Sequence, residues 1–151
     1  VTYPEPIVRD YINEHFIPWN IDVTQDLARV RRFDIFTTPT LIFADSKGRE
    51  FYRGIGYLPP RRFVGRLIFG EAWVMFRTRR YQDAGDLFAT VAQHYAECST
   101  AAESIFFRGV ARDKISDDHN NRIASAHELA DRYPNSDWTF GASVWLEGEP
   151  E

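Results

Sequence analysis

The apolar positions change their period along the chain. From Pro6, the residues Ile7, Val8, Tyr11 and Ile12 recur at helical spacing. Pro6 suits a first helical turn, where its missing N–H would have no partner anyway, so residues 6–15 read as a helix. The following run, Phe16-Ile17-Pro18-Trp19-Asn20-Ile21-Asp22-Val23, is rich in β-branched and aromatic residues. It predicts a strand over 16–22, at a strand start or a sheet edge because Pro18 cannot donate to a ladder. Thr24 is placed to accept from the free N–H groups of a helix over 25–33, built on Leu27, Ala28 and Val30. Thr40 to Asp45 is an apolar strand, Ser46-Lys47-Gly48 supplies the glycine that a tight loop needs at positive φ, and residues 49–53 alternate as the returning strand. Gly54 and Gly56 loosen the end of that strand, and Pro59-Pro60 opens a helix carried by Phe63, Val64, Leu67 and Ile68.

After Gly70 the strand signals stop. Amphipathic stretches over about 71–79, 83–96, 100–114, 119–133 and 137–146 predict helices. The expected organisation is therefore two parts, residues 1–69 and residues 70–151. Within the second part, Tyr95-Ala96-Glu97-Cys98-Ser99 and Tyr133-Pro134-Asn135-Ser136-Asp137 each close a helix, 38 residues apart, which hints at an internal repeat.

Composition adds constraints on function. Hydrophobic residues at 44% can build a packed interior, and a charged share of 26% is ordinary for a folded chain. The net charge of −4 is uneven: residues 1–69 carry ten Lys/Arg against eight Asp/Glu, and residues 70–151 carry eight against fourteen, so about +2 faces about −6. Neither part has the clustered basic face that nucleic-acid phosphates require, so no nucleic-acid partner is expected. No apolar run approaches the roughly 18 residues of a membrane span. The sequence begins at Val1 and contains no leader to read, which leaves localisation open, the cytoplasm slightly favoured and an extracytoplasmic site requiring an upstream signal.

A single cysteine, Cys98, excludes an internal disulfide and a cysteine-rich metal site within one chain. His94 and Cys98, four apart on one predicted helix face, could supply two ligands, but zinc takes three or four and packing explains them better. No metal and no cofactor is expected. Asp117-Asp118-His119 reads as a solvated helix start, and Arg29-Arg31-Arg32 and Arg61-Arg62-Arg66 as solvated basic faces. Trp73, Trp138, Trp145 and Phe106-Phe107 suit core packing, with a peptide-holding groove as the less favoured role.

The order of the first part is helix, Phe16 to Asp22, helix, Phe36-Thr37-Thr38-Pro39-Thr40-Leu41-Ile42-Phe43, Gly48, then Arg53-Gly54-Ile55-Gly56-Tyr57 and a proline-led helix. This order resembles thioredoxin-like proteins over about residues 5–68. The resemblance is most specific at Thr38-Pro39-Thr40, where it implies a cis proline opening an apolar strand beside redox cysteines, an isomer that an X-Pro bond makes accessible. It also implies that the backbone of Thr38 pairs with an extended partner, which makes Thr38 and Pro39 the candidate substrate or partner-binding residues. A plain Thr-Pro entering a strand, binding nothing, is the alternative.

The expected fold class is thus α/β, thioredoxin-like and incomplete in this chain, followed by all-α hairpins. In the second part Arg80-Tyr81-Gln82-Asp83-Ala84, Phe88, Tyr95, Gly109, Ala111, Ala126, Leu129-Ala130 and Tyr133-Pro134-Asn135-Ser136 resemble degenerate tetratricopeptide repeats, with a general antiparallel helical bundle as the alternative. The thioredoxin-like resemblance implies a Cys-x-x-Cys at a helix N-terminus, where the helix dipole lowers a thiol pKa. These residues hold no such motif, so no catalytic residue is assigned within the chain, and as it stands the chain is expected to be inactive. The motif would precede Val1, together with a central strand lying between residues 16–22 and the hairpin 40–53. A longer natural protein is the favoured explanation, and a strand borrowed from a second copy of the chain, making a homo-oligomer, is the other. The implied function is a thiol–disulfide oxidoreductase acting on a protein or peptide partner that contains a disulfide. A redox-inactive scaffold that binds peptides is the rival reading.

Overall fold

The computed structural model describes residues 2–147. Its elements, in chain order, are α1 (Pro6–His15), α2 (Leu27–Arg32), β1 (Thr40–Ala44), β2 (Glu50–Ile55), α3 (Pro60–Arg77), α4 (Tyr81–His94), α5 (Ala101–Ser116), α6 (Asn120–Arg132), α7 (Asp137–Ala142) and a short 3-10 turn (Ser143–Trp145). The chain divides into two compact units, one ending at Val64 and the other beginning at Gly65.

In the first unit β1 and β2 form an antiparallel pair in which Leu41 faces Gly54 and Phe43 faces Tyr52, with an irregularity after Phe43. Gly48 turns the hairpin at φ +77°, a conformation that a Cβ would strain. Asp45 closes the turn by accepting from the N–H groups of Lys47 at 3.0 Å and Arg49 at 2.9 Å. Gly54 does not loosen the strand: it is buried in the ladder, and β2 continues to Ile55. The core gathers Val8, Phe33, Phe43, Phe51, Phe63 and Val64.

Two expectations for this unit are corrected, the strand over 16–22 and the cap at Thr24. Residues 16–22 form no strand, and the sheet has two strands among the described residues. A strand exists through its neighbour's backbone groups. This segment meets the hairpin through a side chain instead, the Phe16 ring packing edge-on against Phe43 at 5.3 Å, while Ile17 is 99% exposed and anchors nothing. The helix expected over 25–33 begins at Leu27, and its cap is Asp26, which accepts from the Arg29 N–H at 3.1 Å. Thr24 is engaged elsewhere: its N–H and hydroxyl both donate to the Asp22 carboxylate, at 2.9 and 2.7 Å.

A third expectation, separate helices on either side of Gly70, also fails: α3 runs unbroken from Pro60 to Arg77. A single helical glycine costs only about 1 kcal/mol relative to alanine, and the apolar neighbours Phe69 and Ala72 are fully buried. Burial of that face outweighs the backbone cost.

The second unit is a run of antiparallel helices. Phe69, Trp73 and Phe76 of α3 pack against Phe88 of α4 with ring centroids 5.8 to 6.3 Å apart. Small residues bring later helices close: an added Cβ at Gly85 of α4 would lie 3.7 Å from Ala111 of α5, and one at Gly109 of α5 only 2.5 Å from the Ser125 hydroxyl of α6. Ala92, Ala102, Ile105, Ala126, Leu129 and Ala142 form the buried centre, flanked by Phe106, Trp138 and Trp145. The aromatic residues named from the sequence are thus part of the packing. Among the described residues no helix is long and apolar enough to cross a membrane.

Candidate functional site

The turn leading into β1 is held from both sides. The chain leaves α2 through Asp34, whose φ of 48° reverses its direction, and the Ile35 N–H returns to the Val30 carbonyl at 2.9 Å. Arg53 of β2 reaches across to this loop. Its guanidinium donates to the carbonyls of Asp34 at 3.0 Å and Phe33 at 2.5 Å and is paired with Glu50 at 2.6 Å. The Glu50 hydrogen bond raises the Arg53 pKa further, against the effect of partial burial, so the clamp stays charged. Nothing in the sequence pattern marked Arg53 for this role, because its partners are backbone carbonyls that any residue would supply.

Thr38 and Pro39 follow. The bond between them is cis, as the resemblance implied. On one side the Thr40 hydroxyl donates to the Thr37 carbonyl at 2.7 Å, and on the other the Gly56 N–H donates to the Pro39 carbonyl at 2.9 Å. Thr38 lies between these two fixed points, exposed, and among the described residues neither its N–H nor its C=O is hydrogen-bonded. Phe36, 74% exposed, precedes the turn, and the exposed Ile55 and Tyr57 flank the Gly56 that closes it. Open backbone groups beside exposed apolar side chains can hold an extended peptide by strand-like pairing. Phe36, Ile55 and Tyr57 were not singled out from sequence; their exposure is a tertiary fact.

Other candidates resolve differently. Cys98 is in no disulfide and is half-buried, packed so closely on Gly65 that an added Cβ there would lie 2.7 Å from its sulfur. His94 ends α4 and Cys98 lies beyond the helix, so the two do not share a helix face. No group of three or more His, Cys, Asp and Glu among the described residues could hold a metal ion. At the α5–α6 turn the Asp118 carboxylate accepts from the Asn120 N–H at 3.0 Å, as expected of a helix start. His119 does more: its Nδ1 lies 2.6 Å from the buried carboxylate of Asp113, which also pairs with Arg122.

Residues 3–70 match the family model of a thioredoxin-like domain. No curated protein and no solved structure matches the chain.

Proposed function

We propose, taking the thioredoxin-like domain at residues 3–70 as the premise, that this chain belongs to a thiol–disulfide oxidoreductase whose Cys-x-x-Cys is carried by a segment preceding Val1. In this reading residues 1–69 form the redox domain, and residues 70–151 are tetratricopeptide-like hairpins that recruit a protein partner. The first cysteine, as thiolate, attacks one sulfur of a substrate disulfide and releases the other sulfur as a thiolate, which takes up a proton. The second cysteine then attacks the mixed disulfide, freeing the reduced substrate and leaving the oxidised pair. Thr38 holds the substrate backbone beside the reacting sulfurs.

The observation that carries this reading is the open, exposed backbone of Thr38 between two fixed carbonyls, flanked by Phe36, Ile55 and Tyr57. The test is reduction of insulin disulfides, with dithiothreitol as electron source, by the chain extended with its natural upstream sequence. Activity is expected, and T38P, which removes the N–H, should raise KM more than it lowers kcat. An extended protein that reduces nothing sinks the proposal.

One observation favours the second reading, a redox-inactive scaffold: the single cysteine is half-buried and lies in the helical unit. An upstream coding sequence without Cys-x-x-Cys in the roughly 20 residues before Val1 decides for it.

A further inference from the structure

We propose that the surface where α2 meets the tip of the β1–β2 hairpin docks an acidic, extended segment of a partner protein. Three cations there, Arg31, Arg32 and Lys47, make no ion pair among the described residues. The other cations of this stretch are already matched: Arg29 by Asp26, Arg49 by Asp45, and Arg53 by Glu50 with Asp34 acting on it as well. Arg32 joins the two elements, its Nη2 donating to the Lys47 carbonyl at 3.3 Å while its guanidinium lies 5.5 Å from the centre of the Phe33 ring. The same surface continues into Trp19, which meets Phe33 edge-on at 6.3 Å and is 59% exposed. Leu27, one turn before Arg31, is also exposed.

Unmatched positive charge beside exposed apolar side chains calls for a ligand that brings both carboxylates and apolar groups. An acidic peptide supplies them. A nucleic-acid strand fits less well for two reasons. Its phosphates need a continuous cationic track, and here Asp26, Asp34 and Asp45 interrupt it. Its bases need a free aromatic face, and the Arg29 guanidinium already covers Trp19 at 4.5 Å. The surface lies at the far end of the hairpin from Thr38-Pro39, about 17 Å along β1 at roughly 3.3 Å per residue. A partner held there leaves the turn free and raises the partner's local concentration beside it. The inference does not depend on redox chemistry.

The experiment is fluorescence anisotropy on the full chain with three labelled probes of about twelve units: a glutamate-rich peptide carrying two leucines, the same peptide with lysine for glutamate, and oligouridine. The glutamate peptide should bind at least about tenfold tighter than the lysine peptide and weaken as salt rises, since exposed charges are screened within roughly a Debye length. R31E/R32E/K47E should lose about tenfold or more, and the milder R31Q/R32Q/K47Q, which keeps the side-chain stems, decides the matter should the charge reversal unfold. Equal binding of the two peptides, unchanged affinity in the folded glutamine variant, or tighter binding of oligouridine overturns the proposal.

Discussion

At the scale of single residues, burial works against the charge of two carboxyl groups in the helical unit, and their partners decide the opposite outcomes. Glu103, in the first turn of α5, is pushed up to about 7 because burial disfavours its charged form, and the nearby Arg66 offsets this only in part. A carboxyl whose folded pKa exceeds its unfolded value of about 4.5 weakens the fold as pH rises through the interval between them. E103Q should therefore leave thermal stability nearly unchanged at pH 4.5 and raise it at pH 8, by about 1 kcal/mol after allowance for solvent contact. Thermal melts of both proteins at the two pH values check this. For Asp113, burial also works against the charge, but the hydrogen bonds from His119 and Arg122 outweigh it and hold the pKa below the usual carboxylate range. Its stabilising contribution is present above the unfolded value near 3.8 and is lost as pH falls through the lower folded value. D113A should cost about 2–3 kcal/mol at pH 7, since it leaves Arg122 and His119 without their shared carboxylate, and the difference from wild type should shrink in denaturant titrations below pH 4.

At the scale of elements, the helix contacts separate two glycines that look alike in sequence. Gly85 and Gly109 both lie in helix interiors, where alanine is intrinsically better by about 1 kcal/mol. At Gly85 the new methyl would meet Ala111 at an ordinary 3.7 Å, so G85A should stabilise by about 0.5–1 kcal/mol. At Gly109 it would lie 2.5 Å from the Ser125 hydroxyl and 3.0 Å from the Asn121 carbonyl, so G109A should destabilise by about 1–3 kcal/mol through forced separation of α5 and α6. Urea denaturation of the two variants gives opposite signs. The hairpin and the helix spacing were legible beforehand because local chemistry decides them: an apolar run, a glycine at positive φ, and apolar residues every third or fourth position. The segment 16–22 was misread for the complementary reason. Its β propensity is real, but propensity does not supply a neighbouring strand.

At the scale of the whole molecule, the Thr38-Pro39 turn and the docking surface at α2 and the hairpin tip both belong to the first unit. The turn at Thr38-Pro39 was legible because a Thr-Pro entering an apolar strand is a local pattern with a family resemblance attached. The Arg53 clamp that holds the loop before it, and the exposed Phe36, Ile55 and Tyr57 around it, were not legible: they depend on which side chains the packing leaves uncovered and which backbone carbonyls come within reach. The charge imbalance between the two parts was visible in composition, yet which cations remain unmatched depends on ion pairs that only the fold forms.

The chain's sequence by itself determined the helical periods, the hairpin with its glycine turn, and the absence of a second thiol, since these follow from residue type and spacing over a few positions. Tertiary structure alone decided that α3 continues through Gly70, that residues 16–22 join no sheet, and that Thr38 presents an open backbone. Each of those depends on partners distant in sequence, and hydrogen bonding and burial are settled by what a group finally meets in space.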